Sequence, residues 1–251
     1  MNAHVTPGCE AFSHHGGPLG VLVLHGFTGN PASMRSIGEN CVTAGYSVEL
    51  PRLPGHGTSV EDMMTTGWTD WSKAAEESFD ELSARCERVA IVGLSMGGGL
   101  GAHVGEVRPN LAGAVFINPL VKPPGAEMLD GIDQLLAAGV ETVESIGSDI
   151  KREGSVEDSY DATPLAAVLS LFEGVRTVHE NLRFITAPSL LLLSREDHVV
   201  TWDNGDDLVA MVSGPIERVW LENSYHVATM DNDQVLVESL TSDFLARVFA
   251  L

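Results

Sequence analysis

Short apolar runs alternate with helical patterns along most of the chain. Gly20-Val21-Leu22-Val23-Leu24-His25 is apolar at nearly every position, which suits a strand buried on both faces of a parallel sheet better than an edge strand facing water. Asn30-Pro31 then supplies an N-cap with proline at the first helical position. Met34, Ile37, Cys41 and Val42 form the apolar stripe of that helix, and Gly45 stops it. Further strands are expected over Tyr46 to Leu50, Val89 to Gly93, Ala114 to Ile117, Ser189 to Leu193 and Ile216 to Leu221. Helices are expected over about Trp68 to Arg85, Met96 to Val107, Asp206 to Met211 and Gln234 to Leu251. The helix from Met96 carries Gly97, Gly98, Gly99, Gly101 and Gly105, which weaken a helix but let its backbone approach a sheet closely. Repeated βα units with right-handed crossovers predict the α/β class, a mostly parallel sheet covered on both faces by helices.

The alternation breaks from Pro119 to about Val178. Inside this insertion Met128, Leu129, Ile132, Leu135 and Leu136 make one helical stripe. Thr163-Pro164 opens a second helix with Leu165, Val168, Leu169 and Phe172 facing inward. Such apolar helices fit a cap. The expected layout is a core of residues 1–118 and 184–251 with a cap insertion at 119–183. The apolar cap residues leave two uses open, a lid and a contact in a homodimer.

Gly93-Leu94-Ser95-Met96-Gly97 matches G-x-S-x-G and lies between a strand and a helix, the context that motif requires. A serine on so sharp a turn is exposed above the sheet, and glycines on either side keep Cβ atoms out of the crowded elbow. Serine is a weak nucleophile at neutral pH and needs a histidine base, itself held in one tautomer by a carboxylate. Asp197 follows the strand ending at Leu193 and His226 follows Val219-Trp220-Leu221, giving the order Ser, Asp, His of α/β-hydrolases. Glu196 and His198 adjoin Asp197 as rival acid and base, but His198 is too close in sequence to be oriented by its neighbour. His103, on the glycine-rich helix, reads as a packed residue, and His4, His14 and His15 read as tail residues before the first strand.

Acyl transfer also needs donors for a developing oxyanion, usually two backbone N–H groups. Met96 supplies one. The second is expected from Phe27 in His25-Gly26-Phe27-Thr28-Gly29, where the glycines let the chain turn its amide towards the serine. His25 and His56 read as loop-shaping residues that bond backbone. Neither has metal-ligand spacing with its neighbours, and there is no Walker motif, so no metal or cofactor is implied.

The charge narrows the partners. The chain of 251 residues carries 35 acidic against 14 basic side chains, a net charge of −21. Its basic residues form nothing longer than Lys151-Arg152, which argues against nucleic acid and against an anionic membrane surface. The amino-terminal segment lacks a basic start and an apolar run of signal-peptide length. No stretch approaches the roughly 18 apolar residues of a membrane span, so no stable membrane insertion and a cytoplasmic location are expected. Cys9, Cys41 and Cys86 are odd in number and far apart, which fits reduced thiols.

Nearly the whole chain resembles the bacterial monoacylglycerol lipases and the related small carboxylesterases of the α/β-hydrolase fold. The resemblance rests on Val23 to Gly29, Leu50-Pro51-Arg52-Leu53-Pro54-Gly55-His56-Gly57-Thr58, Gly93 to Gly98, Glu196-Asp197-His198-Val199-Val200 and Asn223-Ser224-Tyr225-His226-Val227-Ala228-Thr229. In the insertion, Ser145-Ile146-Gly147-Ser148-Asp149, Glu157, Tyr160, Thr163 and Pro164 stand where the lipases have similar residues, while Pro119 to Val143 departs most. The resemblance implies a helical lid over an apolar acyl channel, with Glu157 binding glycerol hydroxyls and Ile146 touching the glycerol end. The expected substrate is a small-molecule acyl ester, a monoacylglycerol first, with Ser95, Asp197 and His226 as catalytic residues. A broader carboxylesterase would use the same core with a differently shaped cap. A non-catalytic lipid binder of the same fold is the rival of another class, but it need not retain all three of those residues.

Overall fold

The computed structural model describes residues 4–251; Met1 to Ala3, where the expected tail starts, lie outside the described residues. The chain runs β1 (Phe12–His14), β2 (Leu19–Leu24), α1 (Arg35–Thr43), β3 (Ser47–Leu50), α2 (Val60–Met63), α3 (Trp68–Ser83), β4 (Arg88–Leu94), α4 (Met96–Val107) and β5 (Leu111–Ile117). It continues through α5 (Ala126–Ala137), β6 (Thr142–Glu144), β7 (Ala162–Pro164), α6 (Leu165–Asn181), β8 (Ser189–Ser194), α7 (Asp203–Met211), β9 (Ile216–Leu221) and α8 (Gln234–Phe249). A seven-stranded sheet in the order β1-β3-β2-β4-β5-β8-β9 forms the centre, parallel except for β1.

Strands β2, β4, β5 and β8 are buried almost throughout because both faces of the sheet are covered. Successive side chains alternate between two cores, as the period of two demands. Leu22, Leu24, Ile91 and Phe116 pack with Trp71 and Phe79 of α3 and Leu100 of α4. Val21, Val23, Val92 and Val115 pack on the other face with Ile37 and Cys41 of α1 and Phe244 of α8. The α1 region begins with a 3-10 turn, Pro31–Met34, capped by Asn30, whose Oδ1 accepts the Ala32 N–H at 2.9 Å. Gly45 ends the helix at φ 88°, a conformation that favours glycine.

The glycines of α4 do what their number suggested. A Cβ on Gly97 would lie 2.2 Å from the Leu24 carbonyl oxygen, a backbone atom that cannot swing away. Gly97→Ala should therefore lower stability by about 3 kcal/mol or more through forced backbone displacement. A urea midpoint equal to that of the wild type would contradict this contact.

Four local expectations need correction. His14 belongs not to a tail but to β1, which pairs antiparallel with β3, Ser13 opposite Glu49. Only Phe12 of that strand is apolar, seated over Gly38 with the Arg35 guanidinium 4.7 Å above its ring, so no periodicity announced it. Thr163 and Pro164 belong to β7, paired with β6, and α6 starts at Leu165; a proline is tolerated in a two-stranded ribbon. Val168 and Phe172 line a cavity. Leu165 is buried as its place in the stripe implied, but the rest of the core-facing side of α6 is Ala167, Leu171, Val175 and Val178, with Gly174 pressed on the Trp68 ring. In α5 only Ile132 is buried, and Met128 is 56% exposed. No helix among the described residues is long and apolar enough to cross a membrane.

Candidate active site

Strand β4 ends at Leu94 and α4 starts at Met96, so Ser95 alone makes the turn, at φ 56° and ψ −120°. That backbone is strained for any residue with a Cβ, by about 1–3 kcal/mol. The surroundings hold it there: the Ser95 N–H donates to Ile117 O at 3.0 Å, and the Ser95 carbonyl accepts from the Gly98, Gly99 and Leu120 amides. A Cβ on Gly93 would meet the Gly97 carbonyl oxygen at 2.2 Å, so the elbow closes only with glycine there. The Ser95 hydroxyl makes no hydrogen bond to a described residue and borders the cavity above the sheet.

Asp197 and His226, on the loops after β8 and β9, meet at the same end. Asp197 Oδ2 lies 2.7 Å from His226 Nδ1, with both side chains nearly buried. The other carboxylate oxygen accepts the Val199 and Val200 amides at 2.9 and 2.8 Å, so the group cannot rotate. Burial pulls the His226 imidazolium down. The Asp197 carboxylate, with Glu157 and Asp149 beyond it, outweighs burial and raises the histidine above its ordinary value.

The loop after β2 brings Phe27 to the cavity beside Ser95, with Gly26 between: a Cβ on Gly26 would stand 3.4 Å from that of Ser95. His25 shapes this loop. Its Nδ1 donates to Gly26 O at 2.9 Å and its Nε2 accepts the Leu53 N–H at 3.2 Å, which fixes the tautomer and occupies both nitrogens. Burial pulls His25 down to about 3 and His56 down to about 4, so both stay neutral. Tyr160 of the insertion stitches this region together. Its hydroxyl donates to Gly55 O at 2.8 Å and accepts the Thr58 N–H at 2.9 Å. The Met96 amide opens α4, where N–H groups lack an intrahelical acceptor and the helix dipole favours negative charge.

The cavity measures about 300 Å³ and is bordered by Phe27, Ser95, Ile146, Glu157 and His226 together with apolar side chains such as Leu120, Leu171 and Phe172. Ile146 is 71% exposed and stands at its mouth. Glu157 reaches inward until its Oε1 lies 2.8 Å from where a Cβ on Gly29 would be. Burial pushes its carboxyl up, against the pull of His226 and Ser33.

The rivals sit elsewhere. Glu196 faces Lys151 at the surface, and His198 is an exposed side chain bonded to Asp149. His103 of α4 pairs with Glu76 of α3 and lies edge-on to the Trp68 ring. Three supporting roles were not legible in the sequence, although Asp149 stood in the Ser145 to Asp149 segment that carries the resemblance. Asn118, at φ 43°, donates from Nδ2 to His226 O at 2.7 Å and accepts the Ser194 N–H at 2.7 Å, joining the ends of β5 and β8 to the histidine loop. The fully buried Asp231 accepts the Tyr225, Lys151 and Arg152 amides. Asp149 bonds the His226 amide. A polar residue closing the apolar run of β5 was a usable signal for Asn118; the two carboxylates had none, because their partners are remote in sequence.

Comparison with known proteins agrees with this architecture. Residues 21–239 match the profile of the alpha/beta hydrolase family. A thermostable monoacylglycerol lipase of Bacillus sp. (strain H-257) is 41% identical over 97% of this chain and 96% of its own length. A carboxylesterase of Bacillus subtilis (strain 168) is 28% identical over 97% of this chain and 98% of its own. Among solved structures, one from work on the metagenome-derived lipolytic enzymes LipS and LipT superposes with a TM-score of 0.90 at 37% identity, covering 97% of this chain and 100% of that one. With this sheet order and these relatives along nearly its whole length, the chain belongs to the alpha/beta hydrolase family, among its carboxylic ester hydrolases.

Proposed function

We propose that the protein hydrolyses monoacylglycerols to glycerol and a fatty acid through an acyl-enzyme on Ser95. The Ser95 hydroxyl attacks the ester carbonyl carbon while His226 Nε2 takes its proton. The carbonyl oxygen gains the negative charge and is held by the Phe27 and Met96 amides, each donor being worth about 10²–10³ in turnover. Collapse of this intermediate breaks the bond to the glycerol oxygen, which leaves with the proton from His226. Water then attacks the acyl-enzyme, giving its proton to His226, and the acid departs as Ser95 recovers the proton. Asp197 orients the ring and stabilises the imidazolium at Nδ1. Residues 119–183 act as the cap, Glu157 receives the glycerol hydroxyls and Ile146 touches the glycerol end.

The observation that carries this reading is one cavity bordered by Ser95 and His226, apolar along Leu120, Val168 and Phe172 and lined by the Glu157 carboxyl. Its volume of about 300 Å³ is at the low end for ligand sites and suits one acyl chain with a small polar alcohol, not three chains. The buried, unpaired Cys9, Cys41 and Cys86 support a reducing, cytoplasmic setting.

Initial rates on a matched series with one medium-chain acid test the substrate: monoacylglycerol, diacylglycerol, triacylglycerol and methyl ester. Strong preference for the monoacylglycerol is expected. Equal or faster methyl ester hydrolysis would make the protein a general carboxylesterase, the reading that the Bacillus subtilis relative favours. Glu157→Ala should raise KM for monoacylglycerol by about tenfold, the size of a hydrogen bond to a charged group, and leave the methyl ester little changed. Equal effects on both esters would remove Glu157 from the glycerol site.

A further inference from the structure

Asp149 lies in the insertion, yet its bonds go to the loops after β8 and β9. Its Oδ2 accepts the His226 backbone N–H at 3.0 Å and the His198 N–H at 3.2 Å. Oδ1 lies 2.8 Å from His198 Nδ1, and the Asp149 carbonyl accepts the Val227 N–H at 3.1 Å. The side chain is only 10% exposed and borders the cavity. One residue thus spans the loop that carries Asp197 and the loop that carries His226. Next to it, Asp231 takes the Lys151 and Arg152 amides at 2.7 and 2.8 Å, so the insertion is sewn to the histidine loop at this point.

We propose that Asp149 is a positioning residue for ester hydrolysis, holding the His226 and Asp197 loops in register and making the insertion part of the catalytic apparatus as well as its cover. The proposal rests on the reading of Ser95, Asp197 and His226 as nucleophile, orienting acid and base. A carboxylate that merely satisfied loop amides could do so anywhere along either loop. Asp149 instead bonds the amide of the base itself, and the place of an imidazole follows the place of its own Cα. A shift of the order of 1 Å in such a group costs about 10²-fold in rate. Its negative charge also adds to those that favour the imidazolium. The ionisable groups facing His226 are Asp197, Glu157 and Asp149. Those around Asp149 are His198 and His226, with Lys151 turned to Glu196 and lying over the Tyr225 ring.

The test compares Asp149→Ala and Asp149→Asn with Ser155→Ala, which removes another tie of the insertion to this loop, the Ser155 hydroxyl donating to Met230 O at 2.9 Å. Two esters are used: p-nitrophenyl acetate, too short to need the cap, and a monoacylglycerol. Asp149→Ala should lower kcat about 30- to 100-fold on both with KM nearly unchanged. Asp149→Asn, which keeps the shape and one acceptor oxygen, should fall between it and the wild type, with the acid limb of kcat/KM moved to lower pH. Ser155→Ala should stay within about threefold of the wild type.

A KM effect confined to the monoacylglycerol would make Asp149 a substrate contact and overturn the proposal. So would an equal loss in Ser155→Ala, or an acid limb that does not move. Amide exchange on the wild-type protein needs no variant: the His226 and Val227 amides should exchange as slowly as those of β8, and loop-like exchange at both removes the clamp. An organophosphate adduct mapped to the peptide carrying Ser95 separates the two failures. With that adduct in place, normal kinetics in the Asp149 variants overturn this proposal alone, whereas an adduct elsewhere overturns the reading beneath it as well.

Discussion

Ser95→Ala should lower kcat about 10⁵-fold on every ester the protein cleaves, with circular dichroism unchanged. Loss of a serine nucleophile in such an arrangement leaves only what oxyanion donors and substrate binding contribute, some 10³–10⁴-fold over water. The alanine keeps the Cβ and therefore the strained backbone at φ 56°, so the fold neither gains nor loses much. Ser95→Gly separates strain from chemistry. It should be as inactive as the alanine variant yet more stable by about 1 kcal/mol, because glycine adopts that backbone without the steric cost. The check is a pair of measurements, single-turnover hydrolysis and a denaturant midpoint. Esterase activity in Ser95→Ala within tenfold of the wild type would remove Ser95 as the nucleophile.

Asp197→Asn should lower kcat by about 10⁴-fold, through the tautomer of His226 more than through lost charge. Asp197 Oδ1 is held by the Val199 and Val200 amides, and an asparagine oxygen can keep both bonds. Its amide nitrogen then replaces the oxygen 2.7 Å from His226 Nδ1. A donor at that place makes Nδ1 an acceptor and puts the ring proton on Nε2, the nitrogen proposed to accept the Ser95 proton.

The pH profile gives an independent check. Burial lowers the His226 pKa, but Asp197, Glu157 and Asp149 together raise it above the ordinary imidazole value of about 6.5. The base proposed for the reaction must be neutral, so with His226 in that role wild-type activity should climb with pH through a midpoint above that value. The stability linked to His226 runs the other way. It is fully present below the unfolded-state pKa and is lost as pH rises through the higher folded-state one. In Asp197→Asn the largest raising influence is gone, so the acid limb of the residual activity should move to lower pH. A limb that stays in place, measured as kcat/KM from about pH 5 to 9, would take Asp197 away from His226.

What could be read from residue order differs from what could not in the range of the interactions involved. Strand β9 and helix α4 have the bounds the pattern implied, because an apolar strand end at Val219, Trp220 and Leu221 and the packing of a glycine-rich helix leave marks within a few consecutive residues. Helix α6 ran further and turned another way than its stripe suggested. Its apolar positions serve two surfaces, the core through Leu171 and Val175 and the cavity through Val168 and Phe172, and a stripe does not say which surface it faces. Strand β1 and the β6–β7 ribbon are each three residues long, too short for any period to show.

The candidate site divides along the same line. The elbow at Ser95 is local, a strand, a turn and a helix in one run, and it stood in the sequence complete. Asp197 and His226 were legible as polar residues just past apolar strands, where a parallel sheet gathers its strand ends. By itself, then, the sequence determined the βα framework, the strained turn and which strand ends carry ionisable groups, since each is set by neighbours a few residues apart. Only the tertiary structure decided that Asn118, Asp149 and Asp231 bind the histidine loop, that Glu157 reaches the cavity and Ile146 its mouth, and that the insertion is tied to that loop. Those contacts join segments far apart in the chain, and hydrogen bonds that close such long loops form only after the sheet has brought their ends together.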